Sequence, residues 1–473
     1  MNSQHFTRTV EMAGFITPET LAKGATTGDI RTVMAAVPDL QGRLQGKRLA
    51  AFPLVRRIEQ NPQSRAPLME ACAYILATNI EMDPMPTALT SWADGYSDMQ
   101  FVPDWDTLRI IPYSPDTALV ICDAVHHDGT PLSVAPRQML RTQLAKLTEA
   151  GYEARIGLES EFMLYDADGQ PVVPHNMDYA LDHPPELVDF LRHLEDMLTD
   201  SDIPLEAIKT EGAAGQIEAT CRYGEAMQAC DNYTIYKQIV KHLARRRGLT
   251  ASFMAAPATG VGSGLHLHLS LWRDGKPAFS ASAQQDMPTE TMRHSLGAVT
   301  AGLPSDVLQH SVGGLIEVMP QLGPLYAPYP NSYHRYATAY AFAPQRMSWG
   351  FDNRGCAIRV VGHGEGIHLE VRLGGADTNP YLYVAATLAA IIRGITEKRT
   401  PTEPCIGDAY SDRKSLPLRK DLAAATDAFE TSTLAHVLLG TDVVQHYTTV
   451  ATADIDRHRG EVTDVERRRF TTA

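Results

Sequence analysis

No run of about 18 consecutive apolar residues occurs in this chain, so a membrane-spanning helix is not expected. Cysteine is sparse and scattered: Cys72, Cys122, Cys221, Cys230, Cys356 and Cys405 form no C-x-x-C pair. That spacing excludes a disulfide framework and a zinc ribbon, and suits free thiols in a reducing compartment. Basic residues are in deficit, 42 Lys and Arg against 56 Asp and Glu, for a formal charge of −14. A nucleic-acid binder needs a basic surface to neutralise phosphate, so that class is excluded. The N-terminal stretch Met1-Asn-Ser-Gln-His-Phe-Thr-Arg8 lacks the apolar core of a signal peptide, and a cytoplasmic location is expected. Internal repeats, low-complexity tracts, a Walker A phosphate loop and a nucleophile elbow are also missing.

What is present is enough for a packed core. The 473 residues are 44% hydrophobic and 21% charged, which suits two or three globular domains. Residues 1–27 read as an N-terminal extension, 28–125 as a first domain of short strands and loops, and 126–473 as a second, larger domain. Asp29–Ala36 and Arg43–Ala51 flank Val37-Pro-Asp-Leu-Gln-Gly42, whose Pro, Asp and Gly predict a hairpin turn. Ala118–Asp123 predicts a buried strand. Pro136 opens a helix that Gly151 closes, with Leu140, Leu144 and Leu147 on one face. Helices are also expected over Glu186–Asp200, Glu225–Arg247 and Pro380–Lys398, and through most of the tail after residue 415.

The chemistry lies in a set of polar strands. Glu159 and Glu161 stand in Leu158-Glu-Ser-Glu-Phe162, and Glu211 and Glu218 frame Glu211-Gly-Ala-Ala-Gly-Gln-Ile-Glu218. His266 and His268 stand in Gly262-Ser-Gly-Leu-His-Leu-His-Leu-Ser270, and Glu370 and Arg372 in His368-Leu-Glu-Val-Arg372. Residues i and i+2 of a strand share a face, so each pair projects two polar groups to one side and apolar neighbours to the other. Singly, an E-x-E is usually an exposed strand edge and a buried His a core residue. Together they would crowd like charges on one surface, which calls for cations between them. Carboxylates with imidazoles favour Mg²⁺ or Mn²⁺ over structural zinc. Arg335, Arg354, Arg359 and Arg372 add guanidinium forks suited to carboxylate and phosphate, so an anionic, phosphorylated substrate is expected. Gly260-Val-Gly-Ser-Gly264 leads into a strand and reads as backbone lying close to substrate.

Taken in order, these segments resemble glutamine synthetase over most of the chain. Ser97-Asp-Met99 with Pro103-Asp104 looks like the family's N-terminal signature, and the polar motifs above follow in family order. Asn331-Ser-Tyr-His-Arg335, Asn353-Arg354 through Arg359, and Asn379-Pro-Tyr381 complete the match. The resemblance implies an α+β fold: an N-terminal β-grasp domain, then a catalytic domain with a curved antiparallel sheet flanked by helices. It implies a homo-oligomer, a dodecamer of two hexameric rings, with sites at subunit boundaries. By family role, Glu161, Glu211 and Glu218 would hold one divalent ion, and Glu159, His266 and Glu370 a second near the ATP phosphates. His268, Ser270 and Arg359 would contact ATP, and Arg354 would steady the transferring phosphoryl group. Gly262, Arg335 and Arg372 would bind L-glutamate. Arg354, Glu211 and Arg372 are the implied catalytic residues.

The departures from the family pattern concern the amine. The flap glutamate of ammonium-using members is absent from Tyr340-Ala-Phe-Ala-Pro344, where Phe342 stands. The Asp-Gly-Ser-Ser segment contributed by a neighbouring subunit is replaced by Asn79-Ile-Glu-Met-Asp-Pro84, in which Asp83 would substitute for the lost aspartate. A less polar pocket suits an organic amine, so an ATP-dependent glutamate–amine ligase acting through a γ-glutamyl phosphate is expected. Polyamines lead, since relatives of that kind share the Phe-Ala-Pro flap; ethanolamine, short alkylamines and anilines remain open. The alternatives are an ammonium-using glutamine synthetase and a catalytically silent structural or regulatory ring. Lys398-Arg-Thr-Pro-Thr402 stands where the adenylylated tyrosine motif would be, so that regulation is not expected.

Overall fold

A computed structural model of the chain describes residues 13–60, 66–280, 305–337 and 342–473. The stretch Met1–Arg8 and residues Tyr340 and Ala341 of the expected flap lie outside the described residues. Within these limits the chain is a mixed helix and sheet protein with two sheets. No helix among the described residues is long and apolar enough to cross a membrane.

The first sheet runs in the order Leu44–Ala50, Thr32–Pro38, Thr117–Val125, Asp98–Pro103, Met69–Cys72, with Arg109–Ile110 pairing beside Thr117–Val125. The predicted hairpin is its edge: Thr32–Pro38 pairs antiparallel with Leu44–Ala50. Thr32–Pro38 pairs in parallel with Thr117–Val125. That last strand is apolar from Ala118 to Cys122 because both its faces are covered there. Ala118, Val120 and Cys122 pack with Leu21 and Leu54, while Leu119 and Ile121 join the core of the larger sheet. Leu21 belongs to the helix Pro18–Thr27, so part of the expected extension is folded against this sheet.

The second sheet places Glu153–Tyr165 at its centre. On one side follow Leu265–Arg273, His368–Val371, Ile358–Val361 and Trp349–Phe351; on the other, Gln216–Cys221 and Leu205–Thr210. All these neighbours pair antiparallel except Trp349–Phe351 with Ile358–Val361. One face is apolar: Ile156, Leu158, Phe162, Leu265, Leu267, Leu269 and Leu369 are buried. They share a core with the helices Pro136–Glu149, Pro185–Thr199, Ala226–Arg246, Asp306–Val318 and Pro380–Thr396. Gly314 and Gly394 let two of these helices touch backbone to backbone; a Cβ on Gly314 would stand 2.1 Å from the Ala390 carbonyl oxygen.

Buried polar ties hold the two sheets together. Arg137 donates to Asp104 and Asp123 at 2.6 Å each on the first-sheet side, and to Asp231 at 2.9 Å on the Ala226–Arg246 helix. Tyr381 donates to the same Asp231 at 2.7 Å. Asn379 caps the Pro380–Thr396 helix through its oxygen and donates its amide to the carbonyls of Asp39 and Leu40. The Asn379-Pro-Tyr381 motif therefore joins the two parts of the fold.

The tail is helical as expected, over Leu422–Glu430, Thr433–Leu439, Thr441–Gly460 and Asp464–Phe470. His446 anchors it: its buried ring meets the Leu76 carbonyl oxygen at 2.7 Å through Nε2. Burial pushes the His446 pKa down to about 4. The unfolded chain then takes up a proton there that the folded chain refuses, so stability falls as pH drops from about 6.5 to about 4. Replacing His446 with Gln, which keeps a donor for Leu76 but cannot titrate, should flatten that loss by up to about 1.4 kcal/mol per pH unit in urea melts. Equal slopes for the two proteins over this range would show that the ring titrates alike in both states.

Candidate active site

The polar face of the second sheet is a product of register. In antiparallel pairs, opposed residues project to the same side. Glu159 lies opposite His266, and His268 opposite Glu370, which in turn lies opposite Arg359. Glu161 lies opposite Glu218, and Glu218 opposite Lys209. The expected i, i+2 pairs thus fall on one surface.

Glu159, His266 and Glu370 converge, with one ligand atom from each within 4.8 Å of the others. His266 Nδ1 is 2.7 Å from Glu159 Oε1 and 3.7 Å from Glu370 Oε1. Its Nε2 faces Arg335 Nη2 at 3.5 Å. A guanidinium only donates, so Nε2 accepts and the ring proton sits on Nδ1, toward the carboxylates. Glu370 is buried and paired with two guanidiniums, Arg359 at 2.8 Å and Arg372. Burial would raise its pKa, but Arg372, His266, His268 and Arg359 hold it at about 2. Glu159 is likewise held well below the usual carboxylate range: hydrogen bonds from His266 and His268 outweigh burial.

A divalent ion fits this cluster. Metal–oxygen bonds of about 2.0–2.6 Å reach across ligand atoms up to about 5 Å apart. The histidines point the same way. His368 Nδ1 donates to the Gly366 carbonyl, so its Nε2 accepts from His268 Nδ1 at 3.0 Å. That leaves a buried His268 Nε2 without a well-formed hydrogen bond, 3.4 Å from Glu159 Oε2. The gap between these two atoms is a place for a cation, either a proton shared with Glu159 or a metal ion.

The remaining acids form a second group. Glu161 Oε1 is 3.9 Å from His266 Nε2, while its Oε2 accepts from the Gln216 side chain at 2.8 Å and the Gly264 amide at 2.9 Å. Glu211 pairs with Lys209 and accepts from the Gly212 amide. Lys209 is also 3.8 Å from Glu218 and 3.0 Å from Asp178. Burial and the Glu159 charge push the Glu218 pKa up to about 9, against the opposing Lys209 charge.

The expected glutamate residues sit beside the first cluster. Arg335 is buried and donates to the carbonyls of Arg372 and Leu373. Gly262 accepts from Gln216 at 2.9 Å and lies against the Arg335 stem. Arg372 donates to the Phe342 carbonyl at 2.9 Å. Phe342 itself has an exposed side chain on a left-handed backbone, φ 53°. Ser270 accepts from Trp272 at 3.0 Å farther along its strand, and Arg354 is exposed on the turn before Ile358–Val361. Asp83 is not brought to this group within one chain: its partners are Asn79 at 3.2 Å and Arg457 at 3.5 Å. A cavity of about 720 Å³ also lies apart from the cluster, lined by Arg43, Lys237, Phe253, Asn331 and Asp454 among others.

Four contributors escaped the sequence reading: Lys209, Gln216, His368 and Asp178. The first three each stand two residues before a glutamate already singled out, so the i, i+2 rule that found the pairs would have found them too. Asp178 lies in a loop and carries no such signal.

An α+β fold with a candidate divalent-metal cluster on the open face of an antiparallel sheet defines the class of this protein. The model of the glutamine synthetase catalytic domain matches residues 133–470, and the chain belongs to the glutamine synthetase family. It is 37% identical to a gamma-glutamylethanolamide synthetase of Streptomyces coelicolor over 457 residues, 93% of each chain. It is 33% identical to a glutamate–isopropylamine ligase of a Pseudomonas species, over 80% of this chain and 83% of the relative. Among solved structures, apo GmaS aligns with a TM-score of 0.78 at 25% identity, over 96% of this chain and 99% of that one.

Gly264 tests the geometry. A Cβ there would stand 2.7 Å from His266 Nε2 and 3.0 Å from Arg335 Nη2. Gly264→Ala should therefore weaken Mn²⁺ binding about tenfold or more with the far-ultraviolet spectrum unchanged. Wild-type affinity in that variant would show that the ring and guanidinium can move aside without cost to the cluster.

Proposed function

We propose that this protein ligates a primary organic amine to the γ-carboxylate of L-glutamate, with ATP converted to ADP and phosphate. What carries the reading is the convergence of Glu159, His266 and Glu370 in a chain whose relatives include two named glutamate–amine enzymes. In the first step a γ-carboxylate oxygen attacks the terminal phosphorus of ATP and ADP leaves. In the second the amine nitrogen attacks the acyl phosphate carbon, phosphate leaves and the nitrogen loses a proton.

In this reading Glu159, His266 and Glu370 hold one divalent ion, and Glu161, Glu211 and Glu218 a second. Mg²⁺ or Mn²⁺ there would neutralise phosphate charge during transfer. His268, Ser270 and Arg359 face ATP, and the exposed Arg354 is free to reach the moving phosphoryl group. Gly262, Arg335 and Arg372 receive glutamate. The buried carbonyl contacts of Arg335 fix its guanidinium in place before substrate arrives, which lowers the ordering cost. The first sheet is taken as a β-grasp domain over residues 28–125 and the rest as the catalytic domain, 126–473. A cytoplasmic ring of two hexamers would supply Asp83 from a neighbouring chain, since it lies with Arg457 in its own.

The amine is a short primary alkylamine in preference to a polyamine. Ethanolamide and isopropylamine in the relatives' names both denote one nitrogen on a small carbon skeleton. Phe342 supports this: its ring is exposed while its carbonyl is held by Arg372, beside the glutamate residues. Alkyl carbon against the ring gains about 25 cal/mol per Å² buried, which ammonium cannot collect.

Phosphate release from ATP with glutamate and Mg²⁺ should be fastest with ethanolamine or isopropylamine in a panel that includes ammonium, putrescine and aniline. Phe342→Glu should move the ratio of kcat/KM toward ammonium by about tenfold or more. Ammonium as the best wild-type substrate would make this a glutamine synthetase proper. The absence of release with every amine tried would favour the silent ring.

A further inference from the structure

Phe342 touches two different places. Its carbonyl accepts from Arg372, among the glutamate residues, and its backbone meets the Tyr410 hydroxyl. Tyr410 lines a pocket of about 520 Å³ whose walls include none of the metal, ATP or glutamate residues. Arg346, Arg413, Arg419 and Lys420 line it too, with no acid among the described lining residues, in a chain whose net charge is −14. Arg346 donates to the Ser415 carbonyl at 2.7 Å, and Arg413 to the carbonyls of Tyr410 and Asp412. Asp412 itself accepts from the amides of Lys414 and Ser415. The four cations thus form no ion pair among the described residues. Tyr333 lines the same pocket, and its buried hydroxyl has no hydrogen-bond partner among the described residues. A buried hydroxyl without a partner and three unpaired guanidiniums share one need, an acceptor carrying several oxygens.

We propose that this pocket binds a small phosphate-bearing anion, which fastens the segment 410–420 to the chain leaving the flap. Guanidinium forks match phosphate oxygens bidentately, and four cations suit an anion of more than one charge. The volume lies within the range of about 300–1,000 Å³ usual for small-ligand pockets. The cations come from both sides of a join. Arg346 follows the flap, whereas Arg413, Arg419 and Lys420 belong to the later segment. Between them the Leu418 amide donates to the Gln345 carbonyl at 3.0 Å, and the Met347 amide to the Leu416 carbonyl at 2.8 Å. An anion gripped from both sides strengthens this join. Tyr410 then holds the Phe342 backbone more firmly, and with it the carbonyl that Arg372 uses. The flap's part in amine choice rests on the proposed function; the pocket and its anion do not.

The test is calorimetric titration of the full-length protein with pyrophosphate, without divalent metal, nucleotide or glutamate, paired with hydrogen exchange read by mass spectrometry. Wild type should bind one pyrophosphate per chain and exchange the Met347 and Leu418 amides severalfold more slowly when it is bound. Succinate, a dianion without phosphorus, should bind about tenfold or more weakly. The double variant Arg413→Gln and Arg419→Gln changes two exposed side chains. It should lose about tenfold or more in pyrophosphate affinity, together with the slowed exchange. Lys420→Gln alone should lose severalfold, which keeps the idea testable if the double variant folds poorly. No binding to wild type, or an affinity unmoved in both variants, overturns the proposal, since the anion would then sit on other arginines. Succinate bound as tightly as pyrophosphate overturns the phosphate assignment. These readouts need no turnover, so their failure is distinct from failure of the amine panel.

Discussion

The register between Glu153–Tyr165 and Leu265–Arg273 is the constraint on which the rest depends. With Glu159 opposite His266, Glu159, Glu161, His266 and His268 face one way and the buried leucines and isoleucine face the other. A slip of one residue would drive both glutamates into the helices and expose Leu265, Leu267 and Leu269 to water. Each buried leucine contributes about 1.5–3 kcal/mol, so the core side of the sheet holds the charged side in place. The cost of gathering carboxylates is thus met by apolar packing on the reverse face.

The charge on the open face is distributed with more balance than its acids alone suggest. Arg335, Arg359 and Arg372 stand around Glu159 and Glu370, and Lys209 stands among Glu211, Glu218 and Asp178. The cations that such a cluster calls for include some that the chain itself carries to the same surface. The two acidic groups nevertheless differ. Glu370 is ionised down to about pH 2 between two guanidiniums, whereas Glu218 is pushed up to about 9 in a buried, acid-rich corner. A common strand geometry yields two electrostatic environments, set by which cations reach each one.

The motifs that carried the resemblance turn out to do two kinds of work. Glu159, His266 and Glu370 converge. Asn379 and Tyr381 do not approach them; they tie the helix Pro380–Thr396 to the turn at Asp39 and Leu40 and to Asp231. Asn331 is similar, with its amide bridging the Ala256 backbone at 3.0 Å in both directions and so fixing the loop before Gly262. A motif residue can thus serve a site by holding its walls apart at the correct distance.

The strand pairs, the hairpin at residues 37–42, the helix from Pro136 and the long helix from Pro380 were legible in the sequence because each depends on neighbours within a few residues. Alternation of period two already assigns Glu159 with Glu161 and His266 with His268 to common faces, whatever lies beside them. It could not say which strands would be adjacent. That Glu159 meets His266, that Glu218 meets Lys209, and that Asp83 turns to Arg457 are decided by contacts between residues far apart in the chain. Local dihedral preference is blind to such contacts; they are selected when the apolar faces of distant segments are buried together.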